Sequence, residues 1–264
     1  MEIKAADVAK LRAMTGAGMM DCKKALVEAE GDFDRAQDII REKGKLVAAK
    51  RADRTATQGV VASKIVGQKG YMLCLACETD FVAQNADFVA ATNAILDIAV
   101  EADAADLDAL LAVVKDGKTV AEIVTEKSGQ TGEKVELAYY GKIEAPMCVT
   151  YIHMNSKLGT LIGFNKEIDK EVAKDVAMQI AALNPTYKDK SDVSEEFIEK
   201  EKEIRLAQAK EDPKNAKKPD AIIEKIVMGG IGKYFKEICL LQQPFVKDDK
   251  VSVEEHIAAV AKQV

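Results

Sequence analysis

Histidine is almost absent from this 264-residue chain: His153 and His256 are the only two, and neither lies in a local nucleophile motif. The commonest general acid or base is therefore available at two points only. No G-x-S-x-G, H-E-x-x-H or EF-hand loop occurs, so the signatures of a hydrolase elbow, a zinc protease and a calcium loop are all missing. The nearest approach to a phosphate loop, "VMGGIGKY" at 227–234, lacks the first glycine of a Walker A motif and has Tyr234 where Ser or Thr would hold Mg²⁺. Gly229 and Gly230 read there as residues that let helices pack closely.

Long apolar runs are lacking too. No stretch approaches the roughly 20 residues of a spanning helix, and the N-terminal "MEIKAADVAK" has neither the apolar core of a signal peptide nor the Arg/Ser bias of a transit peptide. A cytoplasmic protein with no membrane partner is expected, its five cysteines reduced. An excess of positive charge is missing as well, since 38 Lys and Arg stand against 44 Asp and Glu for a formal charge of −6. Direct nucleic-acid binding is not expected, because phosphate binding needs a basic face. Only "KGKLVAAKRADR" at 43–54 is locally basic, and without aromatics to stack on bases it reads as a solvated linker.

Cys74 and Cys77 form a C-x-x-C with no second pair elsewhere. On an extended strand, residues three apart point to opposite faces, unlike a redox pair at a helix N-terminus or a zinc knuckle on a turn. They read as core cysteines.

What the chain does contain is a folding composition, 48% hydrophobic and 31% charged. Residues 3–44 pattern as three short helices: Cys22, Ala25, Leu26 and Ala29 make one apolar stripe, Asp32 can cap the third helix, and Gly44 is placed to end it. Two strands, "GVVASKIVG" and "YMLCLACE", flank the turn cluster "GQKG" and predict an antiparallel hairpin. A helix with Phe88, Ile95, Ile98 and Ala99 on one side follows, then two more helical stretches, the second opening on a Thr119–Glu122 capping box. The plan recurs with "VELAYYGKIE", "MCVTYIH", "GTLIGFN" and a helix stopped by Asn184 and Pro185. Beyond Ser191 lie two charged or apolar helices broken by Pro213, a helical hairpin, and a tail helix with a Ser252–Glu255 capping box and apolar Ile257, Val260, Ala261 and Val264. His256 among the tail's acids reads as a solvated residue.

The fold class expected is α+β: a three-helix module with a basic linker (1–54), two related α+β subdomains (55–132, and 133–190 with 240–250), a hairpin insertion (191–239) and a C-terminal helix (251–264).

Two stretches stand out chemically. In "MTGAGMMDC", Met19 and Met20 occupy a helix mouth where a polar cap is the norm; they either plug the module's own core or offer an adaptable contact to a partner helix, with Lys23 beside them. In "CETDFVAQN", Thr79 or Asp80 is placed to cap the next helix with Phe81 folded back onto it, or Asp80 and Phe81 form a tip that enters another protein. From the residues alone the cap is the simpler reading.

In order along the chain, "LRAMTGAGMMDCKKALVEAEGDFDRA", "KGKLVAAKRA", "ETDFVAQNADF", "VAMQIAALNP" and "QPFV" resemble the bacterial elongation factor Ts family. The resemblance implies a guanine-nucleotide exchange factor, not an enzyme and without a cofactor, for elongation factor Tu in its GDP-bound and nucleotide-free states. It also implies that the three-helix module is like ubiquitin-associated domains and that the hairpin is a possible homodimer contact. By the same resemblance Asp80 and Phe81, flanked by Thr79 and Val82, enter elongation factor Tu near its Mg²⁺ site. Met19, Met20 and Lys23 would contact the GTPase domain, and His153, Leu158 and Gly159, matching an H-x(n)-[KR]-[IL]-G pattern, another domain of that partner. The "RFxVGEG"-like strand that many family members carry after the Q-P-F segment does not occur between Val246 and Val264. The alternative from another class is a binding adaptor whose affinity resides in the three-helix module alone.

Overall fold

The computed structural model describes residues 3–215 and 218–261 and divides into two compact units, 1–165 and 166–264. The α+β class is as read from the sequence. The first unit opens with helices α1 (Ala5–Thr15), α2 (Met19–Glu28) and α3 (Phe33–Lys50). Their core is Val8, Leu11, Cys22, Leu26, Ala36 and Ile39, and the Asp32 carboxylate caps α3 by accepting from the Arg35 N–H at 3.0 Å.

Helix α3 does not stop at Gly44 but runs on to Lys50, so most of the stretch read as a solvated linker is helix. The reason lies in later elements of the unit. These are strands β1 (Gln58–Val66) and β2 (Lys69–Cys77), helices α4 (Asp80–Ala83), α5 (Ala86–Ala102) and α6 (Leu107–Ala112), the short pair β3 (Val114–Lys115) and β4 (Lys118–Thr119), helix α7 (Val120–Thr131), and strands β5 (Glu136–Glu144), β6 (Met147–Ile152) and β7 (Gly159–Phe164). Gly44 of α3 faces Gly129 of α7 so closely that a Cβ on Gly129 would lie 2.4 Å from the Gly44 Cα. Backbone contact of this kind stabilises a helix that glycine would otherwise weaken. Arg41 pairs with Glu126 at 3.4 Å, and Gln130 Nε2 donates to the Thr15 carbonyl at 2.6 Å, tying the three helices to α7.

β1 and β2 form the expected hairpin, Gln58 opposite Cys77 and Val66 opposite Lys69, and β5 adds to the free edge of β2 with a bulge at Cys74/Leu75. Alternation splits the sheet's residues between two faces. Val60, Leu73 and Leu75 bury against Phe88, Ile95 and Leu110 of the helices. Val61 and Met72 face the other way, where the β6–β7 hairpin sits so close that a Cβ on Gly159 would lie 2.7 Å from Val61 Cγ1.

One polar cluster locks the far end of this sheet to α5. Asp103, at the left-handed C-cap of α5, accepts from Lys69 Nζ at 2.6 Å, the Tyr71 hydroxyl at 2.7 Å and Lys142 Nζ at 3.0 Å. Led by the Lys69 contact, these donors hold its carboxyl well below the usual carboxylate range. A depressed folded-state value means that the stabilisation is present above the ordinary value of 3.8 and is lost as pH falls below it. Asp103→Asn keeps a residue that tolerates the left-handed backbone and removes only the charge. Its urea midpoint is expected to lie below the parent's at about pH 6 and to converge on it towards about pH 2.

The second unit contains α8 (Lys170–Leu183), α9 (Glu195–Glu211), α10 (Asp220–Ile238), the short strands β8 (Pro244–Phe245) and β9 (Asp248–Ser252), and α11 (Val253–Ala261). α9 and α10 are antiparallel, with Phe197 near the start of one stacked at 6.2 Å on Tyr234 near the end of the other. Gly230 meets Arg205 of α9, but Gly229 faces open space, so only one of the two glycines serves helix packing. Asn184 ends α8 in the left-handed conformation, as expected before Pro185. His256 is not simply solvated: its ring stacks on buried Phe245 at 4.0 Å. Val264, the last residue of the predicted tail stripe, lies outside the described residues.

Candidate partner-docking site

β2 ends at Cys77, and the chain turns into the four-residue helix α4 with Thr79 as its N-cap, the Thr79 hydroxyl accepting from the Val82 N–H at 3.4 Å. The predicted cap is therefore present. Phe81, however, does not fold back: the residue is 85% exposed, beside exposed Asp80, while Val82 and buried Ala83 pack inward. One helical turn puts successive residues on different sides, so anchoring 82 and 83 turns 80 and 81 out.

This turn is held by a carboxylate that lies far away in the sequence. Glu133 Oε2 accepts from the backbone N–H groups of Glu78 and Thr79, each at 3.0 Å, and Glu133 Oε1 accepts from the Thr79 hydroxyl at 2.6 Å. Glu78 answers by accepting from the Lys134 N–H at 2.6 Å and from Arg51 Nη1 at 3.0 Å. The sequence reading missed Glu133, Glu78, Arg51 and Lys134, because their partnership comes from the turn after α7 and the unexpected last turn of α3.

Phe81 and Val82 line a cleft of about 1100 Å³ together with Arg12, Gly18, Met19 and Lys127. Burial pushes the Lys127 ammonium down from its usual value. Gly18 precedes α2 without a side-chain cap, and Met19 and Met20 are 42% and 63% exposed, so they do not plug the module's core. The buried stripe of α2 begins at Cys22, which leaves both methionines and Lys23 facing solvent. Met19 thus shares the cleft with Phe81, whereas Met20 and Lys23 lie outside its lining.

His153, Leu158 and Gly159 occupy the β6–β7 turn. His153 donates its backbone N–H to the Leu158 carbonyl at 2.8 Å, its Nδ1 lies 2.9 Å from the Tyr151 hydroxyl, and Leu158 is exposed along with Met154, which the sequence reading missed. Lys157 Nζ donates to Gln58 Oε1 at 2.6 Å. Since Gln58 pairs with Cys77, this turn lies at the end of the sheet from which Thr79–Val82 emerge, outside the Phe81 cleft.

The C-x-x-C stretch does no comparable work. Burial, with a smaller contribution from the Glu133 charge, pushes the Cys77 thiol up to about 11, and burial also raises Cys74. Thiolate, the reactive form, is disfavoured at both. Among the described residues no group of three or more His, Cys, Asp or Glu is placed to hold a metal, and no helix is long and apolar enough to cross a membrane.

Residues 78–264 match the family model described as Elongation factor TS. The chain is 44% identical over 263 residues to Elongation factor Ts of Porphyromonas gingivalis, covering 99% of this chain and 94% of that protein. It is 42% identical to Elongation factor Ts of Azobacteroides pseudotrichonymphae, covering 100% and 95%, and 43% identical to that of Christiangramia forsetii, covering 98% and 94%.

Proposed function

Because this chain belongs to the elongation factor Ts family of translation factors, we propose that it binds elongation factor Tu in the cytoplasm and promotes GDP release with the Asp80–Phe81 tip. The observation that carries the reading is Phe81: a large aromatic residue, 85% exposed, on a turn clamped at its base. Left in water it stabilises nothing in its own fold. Seated in a partner pocket, it contributes about 1.5–3 kcal/mol.

GDP on a GTPase is held by phosphate-loop amides and by Mg²⁺ bridging to the phosphates, so a wedge that shifts the ion's surroundings weakens the nucleotide. Asp80 places a negative charge next to the wedge. By linkage, GDP and the exchange factor lower each other's affinity for the GTPase, and no covalent bond is made or broken by the factor. Met19, Met20 and Lys23 supply an adaptable apolar and basic contact beside the same cleft. His153, Leu158 and Gly159 form a second contact at the same sheet end, and Ile222, Ile226 and Met228, exposed on α10, offer a surface for self-association.

The test is release of a fluorescent GDP analogue from elongation factor Tu of the same organism, followed with and without the protein. Release is expected to accelerate by at least about a hundredfold at saturating protein, the size of effect a few kcal/mol of coupling produces. An unchanged rate would sink the reading.

A further inference from the structure

We infer that Glu133 is a positioning residue for nucleotide release: through the Thr79 hydroxyl it fixes the turn on which Phe81 stands. This inference rests on the reading of Phe81 as the working tip. Packing of Val82 and burial of Ala83 hold only the inner side of the turn; α4 is four residues long, too short to be stable by itself, and Phe81 is outside the unit's core.

The geometry of the clamp is specific. The Thr79 hydroxyl hydrogen is committed to Glu133 Oε1 at 2.6 Å, which leaves the oxygen's lone pairs to accept the Val82 N–H that closes the turn. The other carboxylate oxygen takes the N–H groups of Glu78 and Thr79. Three donors from the base of the tip thus converge on one half-buried carboxylate. Glu78 grips the opposite segment in return through the Lys134 N–H, and Arg51 closes the outer side. Charge-assisted bonds of this kind are about twice as strong as neutral ones. Both Glu133 oxygens are occupied within the protein, so its influence on the GTPase passes through the orientation of Phe81. Losing it costs an interaction realised while the nucleotide is being expelled, and the broad contacts that set affinity persist.

The experiment uses the full chain and GDP-loaded elongation factor Tu, with Glu133→Gln, Phe81→Ala and the double variant. Gln keeps the size and one acceptor but turns an NH₂ towards donors. Glu133→Gln is expected to lower the maximal release rate about tenfold while changing the half-saturating concentration less than about threefold. The double variant should match Phe81→Ala alone, because the two residues act as one unit. Amide hydrogen exchange at Val82 should quicken, with the rest of the protein unchanged.

A wild-type rate for Glu133→Gln, a double variant slowed by the product of the two single effects, or unaltered protection at Val82 each overturns the inference. Phe81→Ala at full rate sinks the tip reading itself, whereas a slow Phe81→Ala beside a wild-type Glu133→Gln sinks the role of Glu133 alone. Should Glu133→Gln not fold, Arg51→Gln at the half-exposed rim is read in the same way, with a loss of about threefold expected and no change overturning the inference.

Discussion

Phe81→Ala is expected to lower the maximal rate of GDP release from elongation factor Tu by about ten- to a hundredfold, the rate equivalent of losing an aromatic ring's burial in the partner. Its melting temperature should be that of the parent, since a residue 85% exposed contributes almost no packing. That separation is the diagnostic: most aromatic truncations cost stability, and this one should cost only exchange. Asp80→Asn, which removes the charge but leaves the wedge, should slow release by less. Stopped-flow traces at several concentrations of the factor, with calorimetry on each variant, decide the matter. A Phe81→Ala protein that releases GDP at the parental rate would mean that the tip is not the working element.

The second large effect concerns stability. Gly129→Ala is expected to destabilise the protein by about 2 kcal/mol, because the new Cβ falls 2.4 Å from the Gly44 Cα and neither helix backbone has a rotamer with which to yield. The helices must separate, and the Arg41–Glu126 and Gln130–Thr15 contacts loosen with them. Gly44→Ala is the control: its Cβ would lie an ordinary 3.6 Å from Gly129. Alanine there should be neutral or stabilise by about 0.5–1 kcal/mol, as at a helix-interior glycine without a clash. Urea unfolding of both variants gives the comparison, and equal midpoints would show that the α3–α7 approach is not what holds these helices. Since α7 leads into Glu133, Gly129→Ala should also slow exchange.

The periodicities that depend on neighbours in the chain were legible without a structure. The stripe of α2, the β1–β2 hairpin around Gly67 and Gln68, the Thr119–Glu122 capping box and the stop at Asn184 all report local geometry. The Thr79 cap belongs to this class, because an N-cap needs only the next few N–H groups. The resemblance of "ETDFVAQNADF" and its companion segments supplied the family, and with it the weight given to Asp80 and Phe81.

What the sequence could not show is whether Phe81 turns in or out. A capped turn permits both, and the choice rests on Ala83 being buried and on Glu133, a carboxylate fifty-odd residues away that accepts from the turn's base. Gly44 shows the same limit: by local rules it ends a helix, yet the helix continues because Gly129 of another element brings a backbone against it. His256 reads as solvated until Phe245 is seen beneath it. The order of residues determined most of the helices, the β1–β2 hairpin, the cap and the family; the tertiary structure decided where α3 ends and which way Phe81 faces. Burial and long-range hydrogen bonds are made between segments whose separation along the chain carries no periodic signal.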